Sequence, residues 1–140
     1  MIETDSTMQD LQQEWLCLQT QYDSYEKYSL LIKLTNIVLS SMLIVFFQGH
    51  VALLLSVTTI LWLQDSIWKT FQSRIDQRLL QLEAAIADSE PCTAMQFNRN
   101  WLATRPGAVG LIVEYLKQAC KPTVAFPHAV LLMLIAWITF

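Results

Sequence analysis

Three stretches of the chain are almost unbrokenly apolar: residues 30–47 (LLIKLTNIVLSSMLIVFF), 51–68 (VALLLSVTTILWLQDSIW) and 123–140 (TVAFPHAVLLMLIAWITF), each 18 residues long. A helix crosses the hydrocarbon core of a bilayer with roughly 20 mostly apolar residues. Each run, extended by its flanking aromatics, therefore predicts a transmembrane helix. Only Gln48-Gly49-His50 separates the first two, which predicts a tight hairpin with spans at about 30–48 and 51–69.

The hydrophobic pattern continues outside these runs with a different period. Met8, Leu11, Trp15, Leu18, Tyr22 and Tyr25 follow alternating steps of three and four, and Ser29, Ile32, Asn36 and Leu39 carry that register into the first apolar run. Asp10, Gln12, Gln13, Glu14, Gln19, Gln21 and Asp23 fill the intervening positions, the heptad-type pattern of an amphipathic helix. Ser6 or Thr7 is a candidate N-cap. On the far side of the hairpin, Phe71, Ile75, Leu79, Leu82 and Ile86 alternate with Gln72, Arg74, Asp76, Gln77, Arg78 and Glu83, and a stop is expected at Glu90-Pro91. Both arms should project from the lipid as an antiparallel pair, each on the order of 30 Å long.

Residues 91–105 read as a loop with short helical turns, and Pro106 opens a second amphipathic segment. There Val109, Ile112, Val113 and Leu116 share one face, with Glu114, Lys117, Gln118 and Lys121 elsewhere. Because it leads directly into an apolar run, an interfacial helix is expected. Pro122 and Pro127 should bend the entry of the third span, a distortion tolerated where neighbours satisfy the freed carbonyls.

The expected class is an all-α membrane protein with three transmembrane helices. Its parts are a lead helix (1–29), a transmembrane hairpin (30–69), an amphipathic helix (70–90), a loop and interfacial helix (91–121) and a third span (122–140). Composition agrees: 54% of residues are apolar and 15% charged, against about 45–50% and about 25% in a typical soluble domain.

Charge then sets the orientation. The nine basic residues are Lys27, Lys33, Lys69, Arg74, Arg78, Arg99, Arg105, Lys117 and Lys121, and none lies in the connection between the first two runs. By the positive-inside rule the N-terminus and residues 70–122 are expected in the cytoplasm of an inner (plasma) membrane, and the C-terminus on the opposite side. Phe46, Phe47, Trp137 and Phe140 would mark the outer interface, and Tyr25, Tyr28 and Trp68 the inner one. The first run begins about 30 residues in, behind an acidic leader, unlike a secretory signal. The net charge of −3 and the lack of a basic patch argue against nucleic acid. Cys17, Cys92 and Cys120 lack CxxC spacing and read as free thiols. His50 and His128 have no ligand-spaced partner, so neither a metal nor a cofactor is expected.

The candidate chemistry is a handful of polar residues at membrane depth. Folding the hairpin at Gly49-His50 puts Lys33 level with Asp65 and Ser66, Asn36 with Leu63, Ser40 with Thr59 and Ser41 with Thr58. Charges inside a span are costly and pair or face water, so Lys33 and Asp65 are expected to form an intramembrane ion pair, with Lys69 as a competing partner. Alternatively Lys33, Asn36 and Ser40, on one helical face, would line a pore in an oligomer. His128 is a candidate proton-sensitive group, or merely satisfies a carbonyl freed by its proline. Met8, Leu11, Trp15, Leu18, Tyr22 and Tyr25 form either the inner seam of the hairpin or a seam to other copies or a cytoplasmic partner. Asp65 is the only acid near a span, so intramembrane catalysis lacks its second carboxylate.

Trp62, Asp65, Trp68, Lys69 and Gln72 spell W-x-x-D-x-x-W-K-x-x-Q at the exit of the second run, followed by Arg78 and Glu83. With "KPTVAFPHAVLLML" in the last span, this arrangement resembles small bacterial three-span membrane proteins. The lead helix plus hairpin is similar to SLATT-type two-span domains. That resemblance implies a membrane effector of nucleotide-signalled bacterial defence and transfers no catalytic site; the polar stripe and the aromatic heptads add the expectation of a homo-oligomer that acts as a pore or permeabiliser. The alternative expectation is a non-conducting membrane scaffold or immunity subunit that docks a partner on its cytoplasmic helices.

Overall fold

The computed structural model describes residues 2–46, 50–88 and 92–139. Expectations placed on Phe47, Gln48, Gly49, Glu90, Pro91 and Phe140 lie outside them. The described residues form five helices and no strand: α1 (Ile2–Phe46), α2 (Val51–Asp88), α3 (Phe97–Thr104), α4 (Ala108–Ala119) and α5 (Pro122–Thr139).

Helices α1 and α2 are long, apolar enough to cross a membrane, and packed against each other along their length. Helix α1 runs without a break from the amphipathic arm into the apolar run, having neither Gly nor Pro between Met1 and Gln48. It already includes Ser6 and Thr7, so the expected N-cap there is incorrect. Helix α5 has 18 residues and packs on both α1 and α2. It joins α4 across a bend of 73°. The bend falls at Cys120 and Lys121 rather than within α5, which passes through Pro127 uninterrupted.

Far from the apolar runs, Leu11, Leu82 and Ala85 make a small core joined by Trp15, Leu18, Ile86, Cys92 and Ala94. Trp15 donates its indole N–H to Glu83 Oε1 at 3.0 Å. Tyr25 and Tyr28 pack on the Trp68 ring at centroid distances of 5.1 and 5.5 Å. Leu11, Trp15, Leu18 and Tyr25 of the aromatic stripe thus contact α2 of the same chain; Met8 and Tyr22 are half-buried.

The short helices are held onto α2 by Arg74. Its guanidinium lies 3.7 Å from the Trp101 ring centroid and 5.0 Å from that of Phe71, and it donates to Glu114 Oε2 at 3.2 Å. Gly110 is required in α4, because a Cβ there would lie 2.6 Å from Pro106 Cβ. The apolar face of α4, Val109, Ile112, Val113 and Leu116, points away from the rest of the chain. The three cysteines are unpaired.

Candidate functional site

Where α1, α2 and α5 meet, buried side chains form a polar column surrounded by apolar ones. Ser29, Lys33, Asn36 and Ser40 recur every three or four residues on α1 and therefore share one face. Thr58, Trp62 and Asp65 do the same on α2, and on α5 Val124, His128 and Ile135, spaced by four and then seven residues, also share a face. Ser29, Asn36, Ser40, Thr58, Asp65 and His128 have no solvent exposure.

Asp65 is the centre of charge. Its Oδ1 accepts from Ser29 Oγ at 2.5 Å. Its Oδ2 lies 3.6 Å from Lys33 Nζ and 3.4 Å from His128 Nε2. The structure thus brings Lys33 and Asp65 together and adds a third group on the same oxygen. The expected competitor, Lys69, turns the other way and pairs with Glu26 Oε2 at 2.6 Å, where Gln72 also donates at 2.8 Å. These two contacts hold the Glu26 carboxyl below its ordinary range.

Lys33 has a second task. Its ammonium donates to the Thr123 carbonyl at 2.9 Å. In a regular helix that carbonyl would be served by the N–H four residues on, but position 127 is proline and has none. Lys33 supplies the missing donor, which lets α5 continue through Pro127. Sequence reasoning offered His128 for such a carbonyl; its ring is engaged otherwise.

His128 uses both ring nitrogens. Nδ1 lies 2.6 Å from Asn36 Nδ2, and Nε2 faces Asp65. An amide NH₂ can only donate, so Nδ1 accepts and the ring hydrogen sits on Nε2, directed at the carboxylate. Ser40 Oγ donates to Asn36 Oδ1 at 3.2 Å and lies 3.2 Å from Thr58 Oγ1. The hairpin register expected from the turn is one residue off here, since Ser40 meets Thr58 rather than Thr59. Asn36 meets His128 rather than lying against Leu63. The Trp62 ring stacks over His128 at 6.2 Å with 17° between planes, and its N–H donates to the Ala119 carbonyl.

Of the candidate pore-lining residues Lys33, Asn36 and Ser40, Asn36 and Ser40 are buried within this chain and the Lys33 side chain is 17% exposed. Asn36 meets His128 of α5 and Ser40 meets Thr58 of α2, the kind of partner that a buried amide or hydroxyl needs. The exit motif also changes meaning: Trp62, Asp65, Trp68, Lys69 and Gln72 all contact another helix.

A second buried polar cluster ties the amphipathic arms of α1 and α2 together. Arg78 donates twice to Glu14, Nε to Oε1 at 2.9 Å and Nη2 to Oε2 at 3.0 Å, and both residues are buried. The same guanidinium donates to the Thr93 carbonyl, and Glu14 Oε2 accepts from the Met95 N–H at 2.6 Å. Its bonds to Glu14 raise the Arg78 pKa. Met95 has φ 59°, a left-handed conformation uncommon outside glycine, held by that bond. Beside this pair an open cleft of about 620 Å³ is lined by Gln81, Cys92, Thr93, Gln96, Arg99 and Asn100 among others. Sequence reasoning placed Glu14 on the polar face; only its spacing of three from Leu11 hinted otherwise.

Among the described residues no His, Cys, Asp and Glu side chains gather in a group that could hold a metal ion. Comparison with protein-family models, curated proteins and solved structures found no match to this chain.

Proposed function

We infer that the protein is a three-span integral protein of a bacterial inner membrane that works as a non-conducting scaffold rather than as an enzyme or a pore. The observation that carries this reading is the polar column. The charged and amide groups at membrane depth satisfy one another inside one chain, and Leu34, Ile37, Val38, Met42 and Val45 of α1 face outward. Such a surface suits lipid and offers no wetted path.

α5 serves as the third span. With α5 along the membrane normal, the 73° bend lays α4 near the membrane plane, its apolar face toward the acyl chains. The basic residues then lie on one side, the cytoplasm. There the paired arms, α3 and the polar cleft beside Arg78 form a platform for a cytoplasmic partner.

Reconstitution into potassium-loaded liposomes tests this reading. The expected result is ion flux no greater than from protein-free liposomes at any protein content. Flux that rises with protein content would replace it with the permeabilising reading. One observation favours self-assembly, which that second reading needs. Ser41, Ser56 and Thr59 lie exposed on the outer face of the hairpin, where small residues let neighbouring copies approach closely. The corresponding measurement is the mass of the purified protein in detergent.

A further inference from the structure

Asp65 Oδ2 faces two side chains able to carry positive charge, Lys33 at 3.6 Å and His128 at 3.4 Å. One carboxylate balances one cation. With Lys33 protonated and His128 neutral the cluster is neutral; with both protonated it would bury a net positive charge among apolar helices, which is strongly unfavourable. Other charged groups of the packed helices are committed elsewhere, Glu26 of α1 with Lys69 of α2 and Arg74 of α2 with Glu114 of α4, and Lys121 lies exposed before α5. On α5 His128 is the only titratable side chain.

We propose that His128 Nδ1 is a buried proton-binding site, and that proton uptake there exchanges Lys33 for His128 as the cation held by Asp65. This goes beyond the scaffold reading and does not depend on it. A proton from water forms an N–H bond on the Nδ1 lone pair. Asn36 Nδ2 can no longer face that nitrogen, so the amide makes a half-turn and offers Oδ1 as acceptor. Ser40 then accepts from Asn36 Nδ2 and directs its own hydrogen toward Thr58 Oγ1. Asn36, Ser40, Thr58 and His128 keep partners in both states, because amides and hydroxyls supply donor and acceptor from one side chain.

Lys33 is the one member of the Asp65 cluster with solvent exposure, 17% of its side chain. Its four-carbon stem lets the ammonium withdraw toward the cytoplasmic headgroups. In leaving, it gives up the Thr123 carbonyl as well as Asp65. Thr123 lies in the first turn of α5, directly after the 73° bend, so proton uptake at His128 is coupled to the junction between α4 and α5.

The test uses the full chain in lipid nanodiscs with ¹⁵N-histidine and His50→Gln, leaving His128 as the only signal. In alkaline buffer the ring should be the neutral Nε2–H tautomer, and in acidic buffer the imidazolium, with the protein still folded. At one mildly acidic pH, Lys33→Met should hold several-fold more imidazolium than the chain with Lys33. In the chain with Lys33, the dipolar coupling between Lys33 ¹⁵Nζ and the Thr123 carbonyl ¹³C should disappear as imidazolium appears; this needs no further variant. A ring that stays neutral at every pH where the protein is folded overturns the proposal. So does an imidazolium population unchanged by Lys33→Met, or a Lys33–Thr123 coupling that persists beside the imidazolium.

Discussion

Lys33 donates to the Thr123 carbonyl, the one acceptor in α5 that Pro127 deprives of its helical partner. A lysine on α1 therefore repairs a proline on α5, and the two helices are held together there by a contact to the backbone. Lys33→Met leaves the carbonyl without a donor, at a cost of about 1–3 kcal/mol. Pro127→Ala restores the helical N–H, so the same lysine change should cost less in that background. A double-mutant cycle by thermal unfolding in detergent measures the coupling, and additive losses would remove the link between the two positions.

At the other end of the hairpin, Glu14 and Arg78 form a buried pair that also holds the Thr93 carbonyl and the Met95 N–H. Removing one partner leaves a buried charge, so Arg78→Met should destabilise by about 3–5 kcal/mol, whereas replacing both by apolar residues should cost much less. Denaturant unfolding of the two single variants and the double variant decides this.

The Glu26–Lys69 pair predicts a pH dependence. Hydrogen bonds from Lys69 and Gln72 hold Glu26 below its ordinary value of 4.5. A carboxyl with a depressed folded-state pKa contributes stability that is fully present above its unfolded value and lost as pH falls through the folded one. Stability should therefore decline as pH drops below about 4.5, and Glu26→Gln should flatten that part of the profile. The contribution is small because the Glu26 side chain is 60% exposed. Melting temperature against pH for the two chains is the measurement.

Much of the hairpin is legible in the sequence. The apolar runs, the Gly49-His50 break and the three-four spacing from Met8 to Tyr25 follow from local periodicity, and a tight turn brings Lys33 level with Asp65. Helix α5 is the part that spacing could not place. Asn36 and His128 are 92 residues apart in sequence, and nothing local to either says which face of α5 meets the hairpin. Proline chemistry did carry a signal, because Pro127 implies a carbonyl without its helical donor; the spacing pointed to His128 for it and paired Lys33 with Asp65 alone, whereas Lys33 serves both. Glu14 was missed for a different reason. A glutamate in an amphipathic stretch reads as solvated, and only the tertiary approach of Arg78 makes its burial tolerable.

Asn36→Leu tests the middle of the column. It strips His128 Nδ1 of its donor and Ser40 of its acceptor, and a loss of about 1–3 kcal/mol is expected for the buried groups left unpaired. Thermal unfolding of this variant beside the parent chain checks the outcome.

The closed packing of the first span is tested most directly by thiol labelling. With Cys17, Cys92 and Cys120 replaced by serine, Ser40→Cys and Lys117→Cys are each exposed to a water-soluble maleimide in inverted membrane vesicles. Lys117 lies on the surface of α4 and should label quickly, whereas a thiol at position 40, fully buried beside Thr58 of α2, should stay unmodified. Labelling at position 40 as fast as at position 117 would mean that water reaches this face, and would contradict a closed, non-conducting bundle.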